Sequence, residues 1–350
     1  MKKIKRIIVI DLMYLGDLLF AHPFFEELRN LFPEARIDLA ANNNFAEIMR
    51  INPNINHVYN YNKNWTAARS YKFAKKLKMN NYHLGLNIHG NWRTAILLKL
   101  ISPEKSIGFG GKGRGIFLDH EIERKEDHEH MVDFYLDFLD KSKDIEALAI
   151  DQQNTRNTEP PQLKLSDFQC AKGAKKLADI GLDKDFITLN TGGSWKTKRW
   201  PAEYFAETAD KLIAKGEEIL FVGGSSDNER VQHVLDMIDN KHKDSVYNLS
   251  GRTSLIELAA VLRKSKLMIS GDTGPVHVAA AVGTNTAAIF GPSDEEKYAP
   301  RGKGKNILIK NIDLDCRPCG EHECPLEHHL CMRNICPEGL IEKLEAEELI

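Results

Sequence analysis

Residues 268–292, MISGDTGPVHVAAAVGTNTAAIFGP, constrain the fold more than any other stretch of the chain. The apolar run LMIS ends at Gly271, and Asp272, Thr273, Gly274 and Pro275 separate it from a helix-like apolar run. After a glycine break a second apolar run, TAAIF, ends in Gly291-Pro292. Strand, tight turn, helix and strand in so few residues describe one βαβ unit of a parallel sheet. Its turn falls outside the carboxyl end of a strand, where such sheets bind ligands. Pro275 suits the first helical position, where its missing N–H costs nothing. The free amides just before it suit an anion such as a diphosphate.

The same alternation runs through the rest of the chain. IKRIIVI, ARIDLAAN, HVYNY, YHLGLNIH and KSIGF read as strands, and the stretches between them carry helical periodicity. A glycine-rich loop, GGKGRG, and an amphipathic helix, HMVDFYLDFLDKS, close this series. Between about residues 149 and 165 the apolar pattern lapses into DQQNTRNTEPPQLKL, a linker composition. A second series then begins, with strands FITLN, EEILFV, SVYNL, KLMIS and TAAIF, most of them running into glycine. The pattern predicts a doubly wound α/β domain over residues 1–155, a second over 156–335, and a C-terminal helix over 336–350 packing back toward the first domain. Two Rossmann-like domains of this kind are expected to bind ligands in a cleft between them.

Composition narrows the function class. A chain of 350 residues with 42% hydrophobic and 28% charged residues is ordinary for a soluble two-domain protein. A net charge of −2 argues against a general nucleic-acid binder. No apolar run approaches the roughly 20 residues that span a membrane, and the N-terminal IIVI is too short for a signal peptide. The expected location is therefore cytoplasmic. Basic clusters at Lys2, Lys3, Lys5 and Arg6, and at Lys72, Lys75, Lys76 and Lys78, are either solvated faces or contacts with an anionic membrane surface or phosphorylated glycolipid.

Several residues carry candidate chemistry. Asp17 lies just past the first strand, where a carboxylate either meets a helix dipole or acts as a base. Lys196, Lys198 and Arg199, in GGSWKTKRWP, are solvated loop charges or partners for a phosphate. Asp272 would be repelled by a diphosphate, so it is expected to cap its helix or turn to sugar hydroxyls. His277 is a packed structural residue or a ligand contact. Asp227 and Glu229, beyond Gly223-Gly224, suit an acidic helix start or a ribose site, with Glu229 favoured. A GxGxxG fingerprint is absent after the first strand, where DLMYLGD has one glycine, and this counts against an NAD enzyme. On the acceptor side His89, Asn91 and Arg93 follow a strand, while Lys112, His120 and His128 flank the glycine loop; Arg93 is the named candidate.

Five of the six cysteines fall in the tail, at 316, 319, 324, 331 and 336. Disulfides do not suit a reducing compartment. Cys316-x2-Cys319 supplies one usual zinc half-site, and Cys324 with Cys331 would complete four ligands without the short spacing of a second. Reduced thiols and oxidised pairs remain the alternatives.

Taken in order, Gly16-Asp17 with Pro23 downstream, GSW…KRWP at 193–201, GDTGPVH at 271–277, FGP at 290–292 and the cysteine-bearing tail resemble glycosyltransferase family 9, which contains the bacterial lipopolysaccharide heptosyltransferases. The resemblance covers nearly the whole chain. It implies the GT-B architecture and inverting, metal-independent transfer of a heptose from ADP-heptose to a lipopolysaccharide core sugar. By the same resemblance Asp17 is the general base and Lys198, with Ser194, meets the diphosphate. Thr273 and the amides at 273–274 hold phosphate, Asp272 reads the sugar and His277 touches the donor. The implied partners are a nucleotide-diphospho-sugar and a glycolipid acceptor at the cytoplasmic face of the inner membrane, with no required cofactor. No catalytic role follows for the cysteines. Asp11 and Tyr14 depart from the pattern and leave the acceptor's identity open. A GT-B enzyme with another nucleotide sugar, an epimerase, or a nucleotide-sugar binder without transfer activity are the alternatives. A binder has no need of a base at Asp17.

Overall fold

The computed structural model describes residues 3–123, 130–143, 159–311 and 313–350; His128 and much of the polar linker lie outside these. Two compact units divide the chain, Met1–Pro161 and Gln162–Ile350. The boundary expected at 155/156 falls outside the described residues.

The first unit is built on β1 (Arg6–Asp11), β2 (Arg36–Asn42), β3 (His57–Tyr61), β4 (Leu84–Asn87), β5 (Lys105–Phe109) and β6 (His120–Ile122), in the order β3-β2-β1-β4-β5-β6. The second is built on β7 (Phe186–Asn190), β8 (Glu218–Val222), β9 (Val246–Asn248), β10 (Leu267–Gly271), β11 (Asn285–Phe290) and β12 (Asn306–Lys310), in the order β12-β11-β10-β7-β8-β9. All pairings are parallel. Central strands such as RIIVI and LMISG are buried along nearly their whole length, as strands covered by helices on both faces must be. The expected α/β class with two Rossmann-like sheets is what the chain adopts.

In each sheet the chain starts at the centre, winds one way, then returns and winds the other. The order reverses between β1 and β4 in the first unit and between β7 and β10 in the second. At such a switch point the loops leave on opposite sides and open a crevice at the carboxyl ends of the strands. The register sets Ile10 beside Asn87 and Ser270 beside Asn190 at these two points.

Two edge strands, β6 and β12, escape the sequence pattern because they are short and half-covered. The C-terminal helix, Pro337–Ala346, is not a separate segment. Its Leu340, Ile341 and Leu344 join the second unit's core with Trp200, Phe205 and Leu212. Its apolar stripe packs on the helix Ala202–Ala214.

Candidate functional site

The second unit's switch point gathers most of the donor-side candidates. After β7 the chain makes the turn 191–200, and after β10 it passes Asp272 and Thr273 into the helix Gly274–Val282. Gly271 allows these two segments to meet, because a Cβ there would stand 2.6 Å from the carbonyl oxygen of Lys198. The Lys198 Nζ donates to Asp272 Oδ2 at 2.5 Å, and His277 Nε2 lies 3.3 Å from Asp272 Oδ1. Burial alone would raise the Asp272 carboxyl, but the His277 hydrogen bond and the Lys198 charge outweigh it and hold the pKa at about 2. Lys198 also lies over the rings of Trp195, at 4.5 Å, and Tyr298, at 5.8 Å.

This arrangement gives Asp272 fixed partners. Its carboxylate caps no helix; it is the counter-ion of Lys198, with its other oxygen beside His277. The Thr273 hydroxyl likewise turns inward, 3.0 Å from Asn190 Nδ2 and 3.1 Å from Ser270 Oγ, so what it offers an anion is its backbone. Gly274 opens the helix, whose first amides have no intrahelical acceptor. Ser194 and Lys196 are exposed on the turn.

Arg230, which the sequence pattern did not single out, holds the turn in place together with Arg199 and Trp200. Arg230 donates from Nε to Thr191 O at 2.7 Å and from Nη2 to Trp200 O at 2.5 Å. Its burial lowers its pKa. Arg199 Nε reaches Gly193 O at 2.8 Å, and the buried Trp200 donates to Ile335 O at 2.9 Å. An arginine at the third position of the helix Asn228–Met237 gives no sequence signal of this role. Nearby, Asp227 Oδ2 accepts from the Gly224 N–H at 2.9 Å and is committed to its own loop, whereas Glu229 is exposed in the first turn of the helix Asn228–Met237.

The first unit's switch point carries the acceptor-side candidates. Asp17 sits in the short helix Leu15–Phe20, half-buried, and its Oδ2 accepts from the Tyr14 N–H at 3.3 Å. Asp11 is fully buried at the end of β1, its Oδ1 accepting from the Met13 N–H at 3.0 Å. His89 Nδ1 accepts from the Leu12 N–H at 3.1 Å, which leaves it no proton to share with Asp11 Oδ1, 3.7 Å away. Lys63, which the sequence pattern did not mark, stands 4.6 Å over the Tyr14 ring. Burial lowers its pKa, and the charges of Asp11 and Asp17 oppose that shift. Arg93 is exposed and donates to Lys63 O at 2.5 Å, so one of its nitrogens is spent on the backbone.

The tail cysteines form a third feature. Cys316, Cys319, Cys324 and Cys331 line a cavity of about 250 Å³ together with Thr197 and His328. All four are free thiols. Backbone N–H groups of His329, Leu326, His328 and Glu327 hold the Cys324 thiol below the usual range. Burial, with the charges of Cys319, Cys316 and Cys324, pushes Cys331 up to about 11. Among the described residues no three histidine, cysteine or acidic side chains surround a single point.

The model of glycosyltransferase family 9 (heptosyltransferase) matches residues 70–330. Lipooligosaccharide heptosyltransferase 2 of Campylobacter jejuni is 26% identical over 333 residues, covering 95% of this chain and 96% of that protein. The crystal structure of a family 9 glycosyl transferase from Veillonella parvula superposes with a TM-score of 0.82 at 25% identity, over 99% of this chain and 97% of the other. The Escherichia coli ADP-heptose lps heptosyltransferase II gives a TM-score of 0.82 at 22% identity, over 97% of this chain and 98% of the other. The expected GT-B fold is the one these structures share.

Proposed function

The chain belongs to glycosyltransferase family 9 and is a glycosyltransferase, and from that premise we propose that it moves a heptose from ADP-heptose to a lipopolysaccharide core sugar, inverting the anomeric centre without a metal ion. Similar chains bear the names of lipooligosaccharide and ADP-heptose heptosyltransferases, which supports both the sugar and the acceptor class. The observation that carries the reading is the Lys198–Asp272–His277 cluster at the switch point of the second sheet, beside the start of the helix Gly274–Val282.

In this mechanism the acceptor hydroxyl attacks the anomeric carbon and gives its proton to Asp17. The bond from that carbon to the β-phosphate oxygen breaks as the new glycosidic bond forms, and ADP departs. An ammonium has three donors, so Lys198 keeps Asp272 and still directs an N–H to a phosphate oxygen. The helix amides at 273–274 meet the other oxygens, and Ser194 adds a hydroxyl. Asp272, fixed by Lys198 and His277, retains lone pairs for the sugar hydroxyls. Glu229 takes the ribose, and Arg93 an anionic group of the acceptor. The acceptor is a glycolipid at the cytoplasmic face of the inner membrane, approached by a chain in which no described helix is long and apolar enough to cross a membrane.

A thermal-shift panel of ADP, GDP, UDP and ADP-heptose without metal tests the donor. Stabilisation by ADP and ADP-heptose is expected, and selective stabilisation by UDP or GDP overturns the donor assignment. A transfer assay with heptose-deficient core glycolipid tests the rest. A retained anomeric configuration would remove the role of Asp17, and ADP release at the same rate without acceptor would remove the transfer.

A further inference from the structure

We propose that the outer face of the helices Ala67–Lys78 and Trp92–Ile101 docks the first unit onto an anionic lipid bilayer. Between residues 48 and 103 the chain carries nine lysines and arginines and no aspartate or glutamate, although its net charge is −2. The two helices pack side by side on one face of the first sheet, where Leu77 of one and Leu98 and Ile101 of the other share a core with Ile8 and Ile10. Their opposite faces are therefore turned outward. On the first helix Lys72, Lys75, Lys76 and, at its C-cap, Met79 recur at the spacing of a single face, and all four are exposed. Between this helix and β3 lies an open groove of about 790 Å³, lined by Arg50, Arg69, Lys72 and Lys76 beside the rings of Tyr59 and Phe73. None of its described lining residues is acidic.

Positive charge alone suits any polyanion, and the apolar side chains on the same face decide between them. Tyr71, Met79, Trp92 and Ile96 are between 41% and 80% exposed. Ile116, also exposed, stands on the neighbouring turn Arg114–Phe117, whose Phe117 ring lies 5.8 Å from that of Trp92. The Lys75 ammonium sits 5.3 Å from the centre of the Tyr71 ring. Rings and aliphatic groups interleaved with lysines fit the headgroup level of a membrane: the apolar groups enter the acyl boundary while the lysine stems extend and their ammoniums meet phosphates. The groove beside β3 gives individual headgroups a cationic wall. A nucleic acid would engage the cations and the rings but leave Met79, Ile96 and Ile116 in water. Attachment is by surface, since no described helix is long and apolar enough to cross a membrane. This deepens the proposed function by naming the face that meets the bilayer, and the benefit of docking to turnover rests on the glycolipid acceptor of that reading.

Vesicle sedimentation with the full chain tests the surface. The chain should bind vesicles of mixed phosphatidylglycerol and phosphatidylcholine, ignore pure phosphatidylcholine, and be released as salt is raised. Lys72→Ser, Lys75→Ser and Lys76→Ser combined should weaken binding by roughly 10²-fold, because each cation near an anionic surface accounts for about a fivefold factor. Lys172→Ser, Lys175→Ser and Lys264→Ser combined remove the same charge from exposed positions of the second unit and should leave binding within about twofold. Brominated lipid should quench tryptophan emission, and Trp92→Phe should remove most of that quenching. Equal binding to pure phosphatidylcholine, equal losses in the two triple variants, absence of quenching, or tighter binding to RNA than to the vesicles each overturns the docking surface. Transfer to glycolipid held in vesicles should fall in the Lys72, Lys75 and Lys76 variant, while transfer to the same core sugar freed of its lipid keeps the parental rate; equal effects on the two acceptors overturn the role of docking in turnover. Vesicle binding needs neither donor nor acceptor, so its failure is separate from failure of the proposed transfer.

Discussion

Lys198 and Asp272, 74 residues apart in the chain, form a short ion pair at 2.5 Å where β7 and β10 end. The carboxylate is almost fully enclosed and the ammonium is 17% exposed, so the pair combines a buried acceptor with a donor that still reaches solvent. Such a lysine is held at a defined point and can add a second anionic partner without leaving the first. That geometry is what a leaving-group site without a metal requires.

Removing the lysine should separate Lys198 from its neighbour in the turn. Lys198→Ala leaves Asp272 buried with His277 alone, a loss that approaches about 3–5 kcal/mol for a dry pair and less here because Lys198 is partly solvated. Donor turnover should fall by roughly 10²-fold or more. Lys196 is exposed, and Lys196→Ala should leave turnover within about twofold and stability within about 0.5 kcal/mol. Steady-state kinetics and thermal melts of both variants decide this, and equal effects would contradict the assignment.

Acid stability follows from the depressed Asp272 carboxyl. A folded pKa of about 2, against an ordinary 3.8, means the unfolded chain binds the proton first as the pH falls. The stabilisation is complete above about pH 4 and is lost progressively toward pH 2, amounting to about 2 kcal/mol. Denaturant melts between pH 5 and pH 2 should show a shallower decline for Asp272→Asn than for the parent chain. Parallel declines would show that the ion pair does not set this slope.

For Asp17, the carboxylate accepts from the Tyr14 N–H in the first turn of its short helix, a contact that an amide oxygen can also make. Asp17→Asn should cost no more than about 1 kcal/mol while reducing transfer roughly 10²–10⁴-fold. Because the proposed donor residues lie in the other unit, ADP binding measured by calorimetry should be unchanged. Near-normal turnover in a folded variant would assign the base elsewhere.

Gly271 probes the close approach of two backbones. In Gly271→Ala the new Cβ would meet the Lys198 carbonyl oxygen at 2.6 Å, and a backbone oxygen cannot rotate away. The turn must shift, costing about 1–3 kcal/mol, partly offset by the stiffer unfolded chain. With Lys198 in the proposed role, a displacement of this kind should lower kcat/KM by roughly 10²-fold. A variant with parental kcat/KM would show that the turn's position is not critical.

Much of this protein follows from its sequence alone. Apolar runs ending in glycine mark the strands of both sheets, and GDTGP marks a helix start at a strand's carboxyl end, because strand and helix periodicities are local. The order and register of the strands are not local. Only the folded chain sets β7 beside β10, joins Lys198 to Asp272, turns Thr273 inward to Asn190 and brings Lys63 within reach of Asp11 and Asp17. Charged residues in loops carry no periodic signal, and their partners are chosen by which strand ends meet at a switch point. The sequence therefore determined which residues stand at the ends of strands, and tertiary structure decided which of them pair, since electrostatic coupling depends on distance in space and on burial, neither of which spacing along the chain records.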